Sequence, residues 1–506
     1  MKPAMKSKSR NPNPELRNGN AAFRRLSGFS RGKLREREGA ERGSTLVIVL
    51  WIAFGLVSIT LYFAHAMSFE LRASDNRVSG MAAEQAIEGA ARYVSYVLAN
   101  QLTNGLMPDP LSYETEAVAV GDSHFWLIGR DTNYGVGPTE IAFGLVDEAS
   151  KLNLNTATSN MIVSLPEMNL DLTQSILDWR DTNGGSSSQT YYAMLHPPYQ
   201  CKAAPFETVD ELRLLYGADL YTLLGEDANR NGILDPGEND ENHNNLLEPG
   251  ILEYVTVYSR EPMTNVDGSV RLNIGAVSSA SSGDLRSMLE TNLDATRADQ
   301  ILQQLGLAGS TGSNSPSTPT AGRGTTPTPT AAAAATVRIF HSPLEFFRLS
   351  GMTSDEFATI ANKITVTNGA YIEGRVNINT ASPTVLACLP GISDTPDLAQ
   401  TLVNYRAMNP DKLGSVAWLV DALGSGNAST LDTLQEVDCI TTLSYQFSAD
   451  VAALGPHGRG YRRTLFVFDT ADGTPKIIYR QDRTNLGWAL GKDARQVWLT
   501  GTPQGS

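Results

Sequence analysis

Residues Ser44 to Phe69 read STLVIVLWIAFGLVSITLYFAHAMSF, and from Leu46 to Met67 no side chain except His65 titrates near neutral pH. As a helix those 22 residues span roughly 33 Å, enough to cross a bilayer core of about 30 Å. Such a helix has no stable place in water, so it decides where the rest of the chain sits. The 43 residues before it hold 12 Lys and Arg against 4 Glu. That excess places the N-terminal side in the cytoplasm and the bulk of the chain across the membrane. The same residues have almost no apolar pattern and read as a disordered basic leader. An ordinary secretory signal is not expected, because the apolar run is too long and no small-x-small site closes it.

The joint between leader and helix is a glycine, Gly43, followed by the small polar pair Ser44 and Thr45. It resembles the class III leader of type IV pilins and type II secretion pseudopilins, which a prepilin peptidase cuts after the glycine. The resemblance implies processing between Gly43 and Ser44. It also implies a stem, and the helix does continue amphipathically through ELRASDNRVSGMAAEQAIEGAARYVSYVLAN. Ala82, Ala83, Ala86, Ala90 and Ala91 give it a smooth face, and Asn104-Gly105 and Pro108-Asp109-Pro110 end it. Most pilins carry a Glu five residues after the cut; here that position is Ile48. Its absence is typical of minor pseudopilin K, the subunit held to cap the pseudopilus tip. A tip subunit has no neighbour above it to neutralise, and an unpaired carboxylate in a membrane is costly. The plain alternative is a simple anchor, which predicts an intact Gly43–Ser44 bond.

The chain has 506 residues, room for two to four domains, and a net charge of −14, or −22 once the leader is removed. Phosphate binding needs a positive surface, so nucleic acid is not an expected partner. Cys201, Cys388 and Cys439 are too few for a disulfide scaffold. Catalytic signatures are missing: there is no G-x-S-x-G, H-E-x-x-H or P-loop. Asp178 and Asp181 are expected to cap a helix or bind a cation rather than to act as a catalytic pair. An anchored periplasmic enzyme is kept as an alternative without sequence support.

After the stem, EAVAV, HFWLIGR and EIAFGLVDE predict short strands. A repeat then dominates: Leu152-Asn153-Leu154-Asn155-Thr156-Ala157 recurs as Val376-Asn377-Ile378-Asn379-Thr380-Ala381, with a weaker echo in RLNIGAV at 271–277. Each full copy leads into a Leu-Pro turn and a helix and looks like a helix-hairpin-helix unit. Thr156 and Thr380 are expected as N-caps, and Leu389-Pro390-Gly391-Ile392 as the hairpin turn. Such hairpins often bind DNA backbone, so a membrane-anchored DNA receptor is the main rival reading. Against it, the first copy has Pro166-Glu167-Met168 where the turn glycine belongs, and Ser393-Asp394 follows the second with no basic residue. Pseudopilin K contains two such sterile-alpha-motif-like domains without a DNA role.

The segment after the first copy sharpens the family resemblance. Asp178, Trp179, Asp181, Tyr191, Tyr192, Pro198, Tyr199, Lys202, Pro205, Phe206, Glu211 and Leu212 follow an order similar to protein K of type II secretion. Residues 227–238, DANRNGILDPGE, fill every ligand position of an EF-hand loop. Asp227, Asn229, Asn231, the Ile233 carbonyl, Asp235 and Glu238 stand at 1, 3, 5, 7, 9 and 12, with Gly232 at the sharp turn. A hard cation wants six to eight oxygens in this alternation, so Ca2+ is the expected ligand. Residues 240–251 repeat the pattern at a period of 13, with Asp240, Asn242, Asn244, the Leu246 carbonyl and Glu248 at the first five ligand positions. Its twelfth residue is Ile251, which predicts a weaker site or one completed from elsewhere, with Glu253 the candidate. Family members are likewise calcium-bound, and the expected role is structural.

LEYVTVYSR and GSVRLNIG are read as strands returning to the sheet, and 283–307 as helical. Residues 308–336, rich in Ser, Thr, Pro, Gly and Ala, form a linker that cannot build a core. YQFSADVAAL, RRTLFVFDT and PKIIYRQD (445–482) alternate and predict a sheet with one wet face. The expected architecture is α+β: a pilin-like long N-terminal helix packed on an antiparallel sheet, with inserted helical domains and a calcium loop. Its boundaries are a leader at 1–43, helix at 44–100, strands at 101–147 and a first helical domain at 148–250. Strands and a helix at 251–307, a linker at 308–337, a second helical domain at 338–440 and strands at 441–506 complete it. The resemblance implies a minor pseudopilin of the inner membrane, single-pass, with its bulk in the periplasm. Its implied partners are I- and J-type minor pseudopilins, the major pseudopilin, the prepilin peptidase, the secretin and cargo.

Overall fold

The computed structural model describes residues 42–101, 105–131, 140–184, 187–265, 267–278, 281–307 and 337–491. Most of the leader and the linker at 308–336 lie outside the described residues. The chain divides into a unit ending at Leu71 and a unit running from Arg72 onward.

A single helix, Arg42–Gln101, starts in the first unit and ends in the second. Within the first unit its apolar side chains are exposed on every side, Trp51 and Tyr62 among them. A helix apolar all round is stable in lipid rather than water. Among the described residues it is the one helix long and apolar enough to cross a membrane.

In the second unit the same helix becomes a stem. Ala83, Ala86, Ile87, Ala90, Val94 and Leu98 pack on Phe125, Leu127, Phe447, Val451, Phe466 and Phe468. Small residues let the backbones close in. A Cβ at Gly455 would lie 2.2 Å from the Ser79 carbonyl oxygen, and one at Gly460, where φ is +67°, 2.3 Å from the Ser79 carbonyl carbon. No other residue fits where the hairpin crosses the stem.

The sheet has six antiparallel strands. Val118–Val120, Ser123–Ile128, Gln446–Gly455, Arg459–Asp469 and Lys476–Asp482 lie side by side in that order, and Val146–Asp147 pairs with Gln446–Gly455. Phe447 stands opposite Asp147, so the strands that leave and re-enter the sheet pair directly, and everything between them is one insertion. The predicted wet face survives only at the edge, where Lys476–Asp482 is largely exposed; the central strand has none. All ten residues of Gln446–Gly455 are buried, because the insertion covers the polar side that carries Gln446, Ser448 and Asp450.

The insertion is built on three copies of one device. Leu152–Asn153 pairs in parallel with Val255–Thr256, Leu272–Asn273 with Ile364–Thr365, and Val376–Asn377 with Ile440–Thr441. In each, the Asn side chain takes the N–H two residues on: Asn155 on Asn153, Gly275 on Asn273, Asn379 on Asn377. In each, the closing Thr hydroxyl takes an N–H two residues on, all at 3.1 Å. The faint echo at 271–277 is thus a full third copy. The strands expected to rejoin the main sheet at 252–260 and 268–275 instead serve these ladders and the antiparallel pair Arg260–Pro262 with Tyr371–Glu373. The middle copy spans both sides of the linker, with helices Gly283–Asn292, Ala295–Gln304, Pro343–Ser350 and Ser354–Ala358. The expected 338–440 domain is therefore divided between two copies. One hydrophobic core runs through all three, from Leu152 to Ile440.

The outer copies agree in detail. Arg180 donates to the carbonyls of Leu154 and Ala157, and Arg406 to those of Ile378 and Ala381. The N-caps are Thr158 and Ser382, two residues beyond the expected Thr156 and Thr380. Thr380 instead gives its hydroxyl to Asp147. Glu167 and Gly391 hold the same place in the two Leu-Pro turns, at φ +53° and +77°. The second turn is packed on protein: a Cβ at Gly391 would meet the Thr430 carbonyl at 2.9 Å. A phosphate has no access there.

Candidate metal centre

The predicted ligands of residues 227–238 come together. The Asp227 carboxylate takes the N–H groups of Asn231 and Gly232, each at 2.9 Å. Glu238 takes those of Asn229 at 3.1 Å and Asp235 at 2.9 Å. The Asn229 and Asn231 amides both donate to Asp235 Oδ2, at 2.7 and 3.0 Å. Positive φ at Arg230 and Gly232 curls the loop. One acceptor is left over: Asn229 Oδ1 is buried without a hydrogen-bond partner, in a residue only 9% exposed. A buried orphan oxygen is costly, and a hard cation would remove that cost. Among the described residues no three Asp, Glu, His or Cys side chains cluster tightly enough to hold a metal alone. An EF-hand-type loop does not require that, because Asn and carbonyl oxygens supply part of its set. Burial raises the carboxyls of Asp227 and Glu238, although Arg130 opposes it at Asp227.

Residues 240–251 copy this geometry. Asp240 takes the N–H groups of Asn244 and Asn245 at 3.2 and 2.9 Å, and the Asn242 and Asn244 amides donate to Glu248 at 2.8 and 3.0 Å. Positions four and six, His243 and Asn245, again have positive φ. Ile233 and Leu246 both donate their N–H to the Asn two residues before, at 3.1 and 2.7 Å. The twelfth position is not supplied by Glu253, which pairs with Arg130 at 2.7 Å. Burial would raise the Glu253 carboxyl, but Arg130 holds it below its usual range. The carboxylate bonded to the second loop is instead that of Glu226. Its Oε1 accepts the Glu241 N–H at 2.9 Å and its Oε2 the Glu248 N–H at 3.1 Å; the second of these matches the bond from the ninth position to Glu238 in the first loop. Loop spacing does not reveal this residue, because it precedes the first loop.

The first loop is a part of the insertion that is bonded to the sheet. Arg463 donates to the carbonyls of Asn229 and Arg230, at 2.5 and 2.6 Å, and Arg130 to that of Arg230 at 2.8 Å. Asn229 also donates to the Trp488 carbonyl and Asn231 to that of Ala489. Beside it lies the motif-bearing segment. Glu211 accepts from Trp179 Nε1 at 2.9 Å and from Lys202 Nζ at 3.0 Å. Burial would raise the Glu211 carboxyl, but these donors and the N–H groups of Glu207 and Thr208 hold it below its ordinary range. Tyr199 stacks on Tyr192 at 5.2 Å, and Phe206 gives its N–H to Asn155 at 2.7 Å. Asp178 accepts from Ser187 and Asp181 from Asn183, so both brace the turn after the helix. Gly43 and Ser44 lie in the first turn of the long helix.

Residues 150–224 match the family model described as type II secretion system (T2SS), protein K. The resemblance read from Trp179, Lys202 and Glu211 is borne out over that span. A chain of the GspK–GspI–GspJ complex from the enterotoxigenic Escherichia coli type 2 secretion system aligns at 10% identity and a TM-score of 0.36. The alignment covers 82% of this chain and 98% of that chain, and a likeness at that score carries no argument alone. No curated protein sequence matches the chain.

Proposed function

We propose that the chain is the protein K-type minor pseudopilin of a type II secretion system, seated at the pseudopilus tip and initiating its assembly. The observation that carries this reading is the protein K domain at 150–224, on a chain whose membrane-length apolar helix runs on into a stem under an antiparallel sheet. Ile48 supports the tip position: the top subunit needs no carboxylate for a neighbour's amine, and one left unpaired in lipid would be costly. The stem would pack beside I- and J-type minor pseudopilins and the major pseudopilin in the inner membrane, with the insertion facing secretin and cargo. The work is mechanical rather than catalytic.

Two Ca2+ ions belong to this reading. Asp227, Asn229, Asn231, the Ile233 carbonyl, Asp235 and Glu238 would hold the first. Asp240, Asn242, Asn244, the Leu246 carbonyl and Glu248 would hold the second, with Glu226 as the replacement twelfth ligand. Bound calcium neutralises crowded carboxylates; the chain's own Arg463 and Arg130 fix the first loop to the sheet.

Mass spectrometry of the N-terminus after co-expression with a prepilin peptidase tests the class. A mature chain starting at Ser44, N-methylated, is expected. A chain that keeps residues 1–43 would sink the pseudopilin reading and leave a permanent anchor.

A further inference from the structure

Between the sheet and the first copy lies a cavity of about 40 Å³ whose walls are charged. Arg130, Lys151, Arg230 and Arg483 line it, against Glu148, Glu253 and Asp450. The carboxylates are all engaged. Glu253 pairs with Arg130 at 2.7 Å and Glu148 with Lys151 at 2.8 Å. Asp450 serves two cations, Arg463 at 2.7 Å and Arg483 at 2.8 Å. At the rim, Asp210 is held by Arg213 and Gln481. Asp227 turns its oxygens into the first loop. Among the described residues Arg230 forms no ion pair, and its one side-chain bond is an N–H to the Leu252 carbonyl at 3.1 Å. The Tyr258 hydroxyl on the same wall is buried with no partner.

We infer that this cavity binds a small inorganic monoanion of chloride size, held by Arg230 and the Tyr258 hydroxyl. Buried cations in excess of their carboxylates are strongly destabilising unless compensated. A water needs roughly 10–15 Å³ and would take the tyrosine proton, but it brings no charge. An anion supplies both, as acceptor of two hydrogen bonds, one of them charge-assisted. The space admits one such ion and excludes a bulky organic acid. The inference is independent of the secretion reading, because it rests on the charges of this wall and the unpartnered Tyr258 hydroxyl.

The test is the thermal midpoint of the full chain in detergent, with calcium saturating as the gluconate, titrated with sodium chloride or sodium gluconate at matched ionic strength. The expected result is a saturable rise of about 2–4 °C in chloride beyond that in gluconate. Arg230→Gln removes the charge and is expected to abolish the chloride-specific rise. Tyr258→Phe removes a hydroxyl with no protein partner, folds regardless, and is expected to weaken the rise at least severalfold. Equal midpoints in the two salts would overturn the proposal. So would a full chloride response in Tyr258→Phe, which decides the matter if Arg230→Gln does not fold.

Discussion

Arg463 and Asn229 stand 234 positions apart in the chain, and the guanidinium of the first donates to the carbonyl of the second. Arg463 lies in the strand Arg459–Asp469 and is fully buried. Its charge is met by Asp450 on the adjacent strand, and its remaining donors hold the loop at 227–238. Loop and sheet therefore answer to one ion pair. Burial would raise the Asp450 carboxyl, but Arg463 and Arg483 hold it far below its ordinary range.

Asp450→Asn should therefore cost about 3–5 kcal/mol, because it strands two buried cations. Denaturant unfolding of the detergent-solubilised chain measures it. The sign in pH follows from the depressed carboxyl. Its stabilisation is complete above the unfolded value of about 3.9 and is lost as pH falls below it. The variant should lack that acid limb. A cost under ~1 kcal/mol would show that the two arginines have other partners.

Calcium should stabilise the chain by about 2.7 kcal/mol at a hundred times its dissociation constant, and chelation should reverse this. Glu238→Gln should lose most of the gain. Thermal midpoints with calcium and with chelator decide it, and an unchanged midpoint in the wild-type chain would remove calcium from the account.

Glu226→Gln and Glu238→Gln should separate the two sites. Titration calorimetry is expected to find two ions on the wild-type chain and one strong site fewer in each variant. Retention of both sites in Glu226→Gln would mean that the second loop binds without it, or not through a carboxylate at that place.

Glu167→Gly should raise stability by about 1 kcal/mol, since a non-glycine residue at positive φ costs roughly that much. The reverse change, Gly391→Ala, should destabilise by more, because the new Cβ also meets the Thr430 carbonyl. Unfolding midpoints of the two variants should move in opposite directions.

Asp147 sits where the insertion leaves the sheet, accepting from Ala149, Asn377, Thr380 and Ser444. Burial without a cation pushes its carboxyl up to about 6, although those donors oppose it. A raised folded value means the native state holds the proton longer. Its favourable contribution is complete below about pH 4 and lost as pH rises through about 6. Melting midpoints of Asp147→Asn and wild type should therefore differ in slope across that window; parallel curves would show that Asp147 does not titrate there.

What the sequence by itself determined is what local spacing encodes. The uncharged run from Leu46 to Met67 specified a membrane-length helix, because hydrophobic length alone selects lipid. The N-x-N-T-A repeat specified two helical copies, and the alternation of Asp, Asn and Glu from 227 to 238 a curled loop of oxygens. What only the tertiary structure decided are relations between residues distant in the chain. The third copy was faint because its ladder partner, Ile364–Thr365, lies beyond the linker. Gln446–Gly455 alternates like a half-exposed strand, yet its polar side chains are buried because Asp450 and Gln446 find Arg463 and Asp469 across the sheet. Glu253, expected beside the second loop, pairs instead with Arg130, 123 residues away, and it is Glu226 that accepts that loop's N–H groups. Period and motif fix which backbone forms; a buried charge finds its partner only when the chain has folded.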